Sequence, residues 1–229
     1  MTRYSFIIPT MNEEKYIEDC LKSITRLKGE KEIIIVDSSK DNTFKIAKKY
    51  GKVIKDDRRG PGAARNKGAK IAKGEVLVFT DADVRFDEDF LEMLKKRFDK
   101  GISGCVFNLN LFDSEKTYER ILFSLANYSC RMMIGIGRTI TNGSCFAYSR
   151  DVFEKVNGFS ERMETNEDHE LADKASNIRR FVFCPEIKIY TSNRRMKNLG
   201  LFNIMKFYVK STLTFFVNKK GISIENYWS

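Results

Sequence analysis

The segment Val76–Asp83 has the sequence VLVFTDAD and gives the clearest indication of the fold that this chain is expected to adopt. Its first four residues are apolar, so both faces of the segment are hydrophobic, which is typical of a strand buried in a parallel sheet. Two carboxylates, Asp81 and Asp83, follow directly. Because ligands of open α/β sheets bind beyond the carboxyl ends of the strands, the segment predicts a buried strand that leads into a ligand site.

The residues before this strand alternate between short apolar runs and amphipathic stretches. The apolar runs predict strands over Tyr4–Ile8, Glu32–Asp37 and Val53–Lys55. The amphipathic stretches predict helices over residues 12–27, 43–50 and 63–72. Pro9 is expected to end the first strand and Asn12 to cap the first helix. Strands and helices that alternate at this spacing predict an α/β fold with a central, mostly parallel sheet flanked by helices.

Beyond Asp83 the pattern is less regular. It predicts helices over residues 87–100, 118–134, 151–156 and 166–175. Strands are predicted over residues 105–111, 144–149, 181–184 and 187–191. This half of the chain is therefore expected to form a mixed region beside the regular first half.

Four carboxylates are expected at one edge of the sheet. Asp81 and Asp83 suit a hard divalent cation, because Mg²⁺ prefers few carboxylates together with phosphate oxygens and water. A solvated pair of aspartates in a turn is the alternative interpretation. Asp37 can accept hydrogen bonds from a base N–H or a ribose hydroxyl, and Glu13 either does the same or simply begins a helix. A Rossmann or P-loop site is disfavoured, because no glycine follows the first strand through Glu14.

An ordered set of motifs covers about residues 5–200. It consists of FIIPTMNEE (6–14), IIIVDSSKDNT (33–43), GAARNKG (62–68), GE (74–75), FTDAD (79–83), NGF (157–159) and ED (167–168). With these motifs the chain resembles the family-2 inverting glycosyltransferases of GT-A fold, which include enzymes of polyprenyl-phosphate and cell-surface glycan assembly. The predicted domain spans residues 1–198, with a nucleotide-sugar-binding half (1–110) and an acceptor half (111–198), before a basic amphipathic helix and tail (199–229).

The resemblance implies a metal-dependent hexosyltransferase that uses a UDP- or GDP-sugar and a hydroxyl or lipid-phosphate acceptor, with Mg²⁺ or Mn²⁺ as cofactor. Asp83 would bind the metal, and Asp81 would contact the ribose or the metal. The remaining donor-binding residues that it implies are Pro9, Glu13, Asp37, Arg65, Ala82, Arg194 and Arg195. Met11 stands where relatives often have an aromatic residue, so the choice between uracil and guanine stays open. Arg85 stands where the dolichyl-phosphate mannose synthase branch tends to carry Gln.

Inverting transfer needs a base on the acceptor side, and a carboxylate suffices. The resemblance assigns this role to Asp168, at the start of a predicted helix. Without the resemblance, Asp168 is interpreted as an ordinary helix-start carboxylate. The neighbouring His169 is either a third metal ligand or an incidental polar residue.

The C-terminal quarter carries most of the positive charge. From Ile178 onward, ten Lys and Arg residues stand against two Glu, whereas the whole chain has a net charge of +10. Arg194 and Arg195 are expected either to clamp a diphosphate or to form a solvated basic loop. The helix that follows predicts either peripheral contact with a membrane or docking on the core.

Composition narrows the expected location and partners. Five scattered cysteines without a C-x-x-C pair, and an N-terminus without a secretory apolar region, favour a reducing compartment. The sequence contains no run of 18 consecutive apolar residues, so no transmembrane helix is expected. We therefore expect a cytoplasmic protein, peripheral at the cytoplasmic face of the membrane. Nucleic acid is not an expected partner, because carboxylates cluster where a nucleic-acid site needs cations. A non-catalytic scaffold of the same fold is an alternative to a functional transferase.

Overall fold

The computed structural model describes residues 3–56, 60–114 and 116–218. Within these ranges one sheet has eight strands in the order β3-β2-β1-β4-β7-β6-β8-β5. The strands are β1 (Tyr4–Thr10), β2 (Lys31–Asp37), β3 (Lys52–Lys55), β4 (Val76–Thr80), β5 (Arg85–Phe86), β6 (Gly104–Leu111), β7 (Cys145–Ser149) and β8 (Phe181–Thr191). The predicted tail beyond residue 218 lies outside the described residues.

Helices flank this sheet on both sides. They are α1 (Ile17–Arg26), α2 (Thr43–Ala47), α3 (Pro61–Ile71), α4 (Phe90–Phe98), α5 (Thr117–Gly135), α6 (Arg150–Lys155), α7 (Glu167–Ser176), α8 (Arg194–Leu199) and α9 (Leu201–Asn218). In the part of the chain that the structure describes, no helix combines the length and the apolarity that a bilayer crossing requires.

The first four strands form the regular half of the sheet. Strand β1 pairs in parallel with β2 and β4, and β2 pairs in parallel with β3. Strand β7 lies antiparallel between β4 and β6, and β6 pairs in parallel with β8. The predicted α/β architecture with a mostly parallel sheet is confirmed. Because β1, β2 and β4 run in the same direction, the loops that follow them meet at one edge.

Two hydrophobic clusters fill the two faces of the sheet. Successive residues of β1 enter opposite clusters, with Phe6 and Ile8 on one face and Ile7 on the other. Helix α3 approaches β1 so closely at Gly68 that a Cβ atom there would lie 2.5 Å from Cγ2 of Ile7. Burial of each large apolar side chain contributes about 1.5–3 kcal/mol. This packing fixes the position of α3, which carries Arg65.

Two local predictions about the first strand and the first helix are wrong. Strand β1 continues through Pro9, which pairs with Val36, because β4 has left the other side of β1 by this point and no ladder hydrogen bond requires the missing N–H. Asn12 does not cap α1, which begins five residues later. Its backbone is left-handed, and its side-chain oxygen accepts a hydrogen bond from the N–H of Lys40.

The predicted break between two C-terminal strands is a bulge inside one continuous strand. Strand β8 runs from Phe181 to Thr191, and its register against β6 shifts between Phe107 and Asn108. Pro185 lies in the shifted segment, where its missing N–H is tolerated. The strand β5 was not predicted, because it contains only two residues.

Candidate functional site

The loops after β1 and β2 are joined by backbone-to-side-chain hydrogen bonds. The N–H of Glu13 donates to Oγ1 of Thr43 at 2.8 Å, and the N–H of Glu14 donates to Oδ2 of Asp41 at 3.2 Å. These bonds hold the first loop against the start of α2. The chain therefore places the Glu13 carboxylate at the sheet edge without a regular helix to carry it.

Asp37 is buried at the end of β2. Its Oδ1 accepts hydrogen bonds from the hydroxyl of Thr10 at 2.7 Å and from the hydroxyl and N–H of Ser39 at 2.6 Å and 3.3 Å. These contacts fix the carboxylate next to the end of β1, to which Pro9 also belongs. Met11 follows in the same loop, and its side chain is exposed.

Asp81 and Asp83 follow β4, as expected. The N–H of Asp81 donates to the carbonyl of Ser144 at 2.8 Å, which anchors the turn beside β7. Asp83 is buried, and its Oδ1 accepts a hydrogen bond from the hydroxyl of Thr191 at 3.3 Å. The side chain of Ala82 packs in the hydrophobic core, so only its backbone is available to a ligand.

Arg194 contacts two of the edge carboxylates. Its Nη1 and Nη2 atoms lie 2.5 Å and 2.7 Å from the two carboxylate oxygens of Glu13, and its Nε lies 3.1 Å from Oδ2 of Asp83. The guanidinium also lies over the ring of Tyr16, 4.7 Å from its centroid. The neighbouring Arg195 is half-buried, and its charge acts to lower the pKa of Asp81. Both arginines therefore act on the same group of carboxylates.

Two acidic residues that the sequence did not single out hold Arg194 in place. The N–H of Asn193 donates to Asp113 at 2.8 Å, and its amide nitrogen donates to Glu119 at 2.8 Å. The hydroxyl of Ser192 also donates to Asp113. Because Asn193 directly precedes α8, these bonds fix the start of that helix.

Arg65 is a buried cation between two carboxylates. Its Nη1 donates to Oε1 of Glu167 at 2.7 Å, and its Nη2 donates to Oδ1 of Asp81 at 3.3 Å. The guanidinium also lies 5.2 Å and 5.6 Å from the ring centroids of Phe146 and Phe159. Arg65 thus links the loop after β4 to the start of α7, which the resemblance assigns to the acceptor half.

Close packing permits this link. A Cβ atom at Gly62 would lie 3.3 Å from Cγ of Glu167, so glycine lets the start of α3 approach α7. Asn66 donates to the carbonyl of Phe159 and accepts from its N–H, both at 2.9 Å. The predicted motifs 62–68 and 157–159 are therefore in direct contact, a pairing that sequence order alone did not indicate.

Asp168 lies in the first turn of α7 and is buried. One carboxylate oxygen accepts a short hydrogen bond from the hydroxyl of Thr141, and the other lies 3.4 Å from Nδ1 of His169. Burial alone would raise the pKa of Asp168, but His169, Thr141 and Arg65 outweigh it and hold the pKa well below its usual range. The carboxylate is therefore ionised at neutral pH.

His169 is enclosed by other groups of the protein. Its ring makes an edge-to-face contact with Phe215 of α9, with centroids 5.5 Å apart. Asn166 and Ser211 exchange two hydrogen bonds of 2.8 Å and 3.1 Å, which dock α9 on the start of α7. This side of α9 lies against the protein, while its other side is exposed at Phe202, Val209, Leu213 and Val217. The amphipathic pattern of this helix also includes apolar residues at positions 201, 204, 205, 208 and 216, whose side chains lie outside the described residues.

The electrostatics of the edge favour a cation. Burial raises the pKa of Glu13, and the charges of Asp83 and Asp81 add to this effect against the opposing influence of Arg194. Burial also raises the pKa of Asp81, and Asp83 adds to it, while Arg65 and Arg195 oppose it. Clustered carboxylates disfavour one another's ionised form unless a positive charge lies close by.

The oxygen ligands at this edge fit a hard divalent cation. Asp81 and Asp83 offer carboxylate oxygens, which Mg²⁺ accepts in small number when phosphate and water complete its coordination. In the described part of the chain, no group of three or more His, Cys, Asp or Glu side chains is arranged to hold a metal by itself. His169 lies against Asp168 and Phe215, and its assignment as a third ligand has no supporting contact.

Comparisons with known proteins identify the family and the fold. The family model described as Glycosyl transferase family 2 matches residues 5–156. EpsH of Bacillus subtilis (strain 168), which is named as a glycosyltransferase, is 32% identical over 167 residues, covering 68% of this chain and 44% of EpsH. The chain spans less than half of the length of the first curated relatives.

Two solved structures share the fold over most of the chain. Residues 1–349 of Staphylococcus aureus TarS in complex with UDP-GlcNAc superpose with a TM-score of 0.69 at 23% identity, covering 84% of this chain and 59% of that one. The mannosyltransferase PcManGT from Pyrobaculum calidifontis, in complex with GDP-Man and Mn²⁺, gives a TM-score of 0.68 at 21% identity, covering 91% and 64%. The fold is GT-A, as predicted, and the chain belongs to glycosyl transferase family 2.

Proposed function

We propose that this chain is an inverting, divalent-metal-dependent glycosyltransferase that transfers a hexose from a UDP- or GDP-sugar. The acceptor is a hydroxyl group or a lipid-linked phosphate in glycan or glycolipid assembly. One observation carries the proposal: Arg194 contacts both Glu13 and Asp83 at the carboxyl ends of the parallel strands, where Asp37 and Asp81 also lie. A nucleotide diphosphate needs this combination of carboxylates, for ribose and metal, and guanidiniums, for phosphate.

The donor is bound along this edge. Glu13 and Asp37 accept hydrogen bonds from the base and the ribose, and the backbone from Pro9 to Met11 borders them. Asp81 and Asp83 would hold Mg²⁺ or Mn²⁺, and the bound ion would neutralise negative charge on the diphosphate. Arg194 and Arg195 supply donors that strengthen as that charge develops. The solved complexes of TarS with UDP-GlcNAc and of PcManGT with GDP-Man and Mn²⁺ support this use of the fold.

Asp168 acts as the general base. Its carboxylate takes the proton of the acceptor hydroxyl while the acceptor oxygen attacks the anomeric carbon and the bond to the diphosphate breaks on the opposite face. A lowered pKa makes Asp168 a weak base in the donor-free protein. In the complex the nearby diphosphate adds negative charge, which raises the pKa of Asp168. Arg65 and Glu167 keep the two halves of the site together.

The domain boundaries and the location follow from the same proposal. Residues 1–198 form the transferase domain, and α9 lies at the cytoplasmic face of a membrane. The exposed side of α9 supports this location, because Phe202, Val209 and Leu213 are exposed there together with Lys206 and Lys210. Apolar side chains with neighbouring lysines are typical of interfacial helices.

A panel of UDP- and GDP-sugars tests the function with a thermal-shift measurement in the presence of Mn²⁺. A matching donor at about 100 times its Kd raises the unfolding midpoint by about 5 °C or more. Transfer to water or to simple acceptors then separates an enzyme from a scaffold of the same fold. A panel in which no donor shifts the midpoint would contradict the proposal.

A further inference from the structure

Helix α5 exposes a continuous apolar stripe that the proposed reaction does not use. Six large side chains that recur at intervals of three or four residues are between 46% and 69% exposed. They define the α5 stripe, namely Tyr118, Ile121, Leu125, Tyr128, Met132 and Ile136. At 1.5 Å per residue the stripe is about 27 Å long. Single exposed apolar residues are ordinary, but a contiguous patch of this length marks an interaction surface.

Among the described residues 116–138, the exposed charged side chains around the α5 stripe are all positive. Exposed cations stand beside it at Lys116, Arg120, Arg131 and Arg138. The one acidic residue of α5, Glu119, is buried, where it accepts hydrogen bonds from Ser114 and Asn193. The exposed face of α5 therefore combines aliphatic and tyrosine side chains with cations and carries no acidic residue.

This combination selects one kind of occupant. We propose that the α5 stripe docks on the surface of an anionic lipid bilayer. Interfacial helices bury an apolar face between the head groups, and flanking Lys and Arg side chains bind the anionic lipids. Tyrosine suits this depth, because its ring is apolar and its hydroxyl remains hydrated. A second copy of the chain is a poor partner, since the exposed charges that flank the described part of the stripe are cations and two copies would bring them together.

The position of α5 would place a bound membrane near the acceptor side of the site. Cys130, on the inner face of α5, contacts the carbonyl of Ile140 at 3.5 Å. The same segment supplies Thr141, which donates to Asp168. His169 lies between Thr141 and Phe215 of α9. Helices α5 and α9, both with exposed apolar and basic side chains, thus reach the base from two sides, and this last point rests on the proposed function.

Flotation with lipid vesicles tests the inference on the full chain. The vesicles contain phosphatidylcholine with about one third phosphatidylglycerol, or phosphatidylcholine alone. Leu125→Ser removes one exposed stripe residue, and Ile178→Ser is the matched control because Ile178 is also exposed, at 40%, but lies outside the stripe. Leu213→Ser tests α9 separately. Unchanged circular dichroism and unchanged donor binding in detergent-free buffer establish that each variant is folded.

We expect Leu125→Ser to lower the partition onto anionic vesicles about tenfold, as loss of one buried aliphatic side chain predicts. Ile178→Ser should leave it unchanged, and added salt or removal of phosphatidylglycerol should weaken it. The inference is overturned if the wild type does not float, if Leu125→Ser floats as the wild type does, or if phosphatidylcholine alone binds equally well. It is also overturned if Leu125→Ser instead dissociates a dimer. Vesicle binding is measured without the sugar donor, so its failure leaves the transferase proposal standing. Loss of flotation in Leu213→Ser alone would assign the membrane contact to α9 and overturn the inference.

Discussion

Arg194 and Glu13 form a bidentate ion pair, with N···O distances of 2.5 Å and 2.7 Å, although they lie at opposite ends of the described chain. The third nitrogen of the same guanidinium reaches Asp83. Burial acts to lower the pKa of Arg194, but the hydrogen bond to Glu13 and the charges of Asp83 and Glu13 raise it overall. One cation therefore closes the strand edge where the proposed donor binds.

Replacing Arg194 should weaken donor binding. We expect Arg194→Gln to lower the affinity for a UDP- or GDP-sugar about tenfold to a hundredfold, since a hydrogen bond to a charged group contributes about 1.5–3 kcal/mol. Arg179→Gln is a suitable control, because Arg179 also pairs with a carboxylate, that of Asp151, at a partly exposed position. Titration calorimetry measures both variants. Equal affinity in Arg194→Gln and the wild type would remove Arg194 from the donor site.

The buried pair of Arg65 and Glu167 should contribute to stability in a way that a surface pair does not. Arg65→Met leaves the Glu167 carboxylate buried without its cation, and we expect a loss of about 3–5 kcal/mol in the free energy of unfolding. Restoring neutrality with Arg65→Met/Glu167→Gln should recover part of the loss. Lys96→Met is the control, since the exposed Lys96–Glu92 pair contributes at most about 1 kcal/mol.

Urea unfolding of these three variants decides the point. A loss in Arg65→Met no larger than that in Lys96→Met would show that the ion pair does not hold α3 to α7. In that case the close approach at Gly62 and the contacts between Asn66 and Phe159 would have to carry the link.

His169 should make stability depend on pH. Burial acts to lower its pKa, but the charge and hydrogen bond of Asp168, with Glu167 adding to them, raise it above 6.5. The folded protein therefore binds this proton more tightly than the unfolded chain does. Its contribution is complete below pH 6.5 and is lost as the pH rises through the folded-state pKa. The difference in unfolding free energy between wild type and His169→Gln should be larger near pH 5.5 than near pH 9.

Unfolding in urea at the two pH values gives this difference directly. A difference that is constant or that grows with pH would mean that Asp168 does not stabilise the protonated imidazole. Thr141, which contacts both side chains, provides a check: Thr141→Val should change the size of the pH effect and keep its sign.

The regular half of the fold was predictable because its signals are local. The buried run before Asp81 and the turn after Asp37 mark strand ends directly, and parallel neighbours then place their carboxylates at one edge. Pro9 and Asn12 were misjudged for the opposite reason. Whether a proline interrupts a strand depends on the neighbouring strand, and whether an asparagine caps a helix depends on its partners, here Lys40.

The link between the two halves was outside the reach of local patterns. Arg65 and Glu167 are separated by 102 residues. Asn66 of the GAARNKG motif and Phe159 of the NGF motif are separated by 93 residues. A hint was present, since an arginine on an alanine-rich helix face packed against a sheet must find a buried partner. Asp113 and Glu119, which support Arg194, could not be predicted in this way. Isolated acidic residues in a loop or at the start of a helix are ordinary.

Asp168 should be needed for turnover and dispensable for donor binding. We expect Asp168→Asn to lower kcat about 10²- to 10⁴-fold, the range that a positioned base contributes, while the Kd for the donor changes little. Asp173→Asn is the control, because Asp173 lies on the same helix and accepts a hydrogen bond from Thr139. Near-normal turnover in Asp168→Asn, with transfer to an acceptor followed directly, would place the base elsewhere.

The most direct test of the account is donor binding to wild type and Asp83→Asn, measured by calorimetry with Mn²⁺ and again with the metal removed. Asp87→Asn is the control, since Asp87 lies nearby and accepts a hydrogen bond from Tyr190. We expect Mn²⁺ to strengthen binding of a UDP- or GDP-sugar to the wild type and to Asp87→Asn at least about tenfold and to have little effect on Asp83→Asn. Donor binding that is the same with and without Mn²⁺, and the same in Asp83→Asn as in the wild type, would contradict the assignment of this edge as a metal-dependent nucleotide-sugar site.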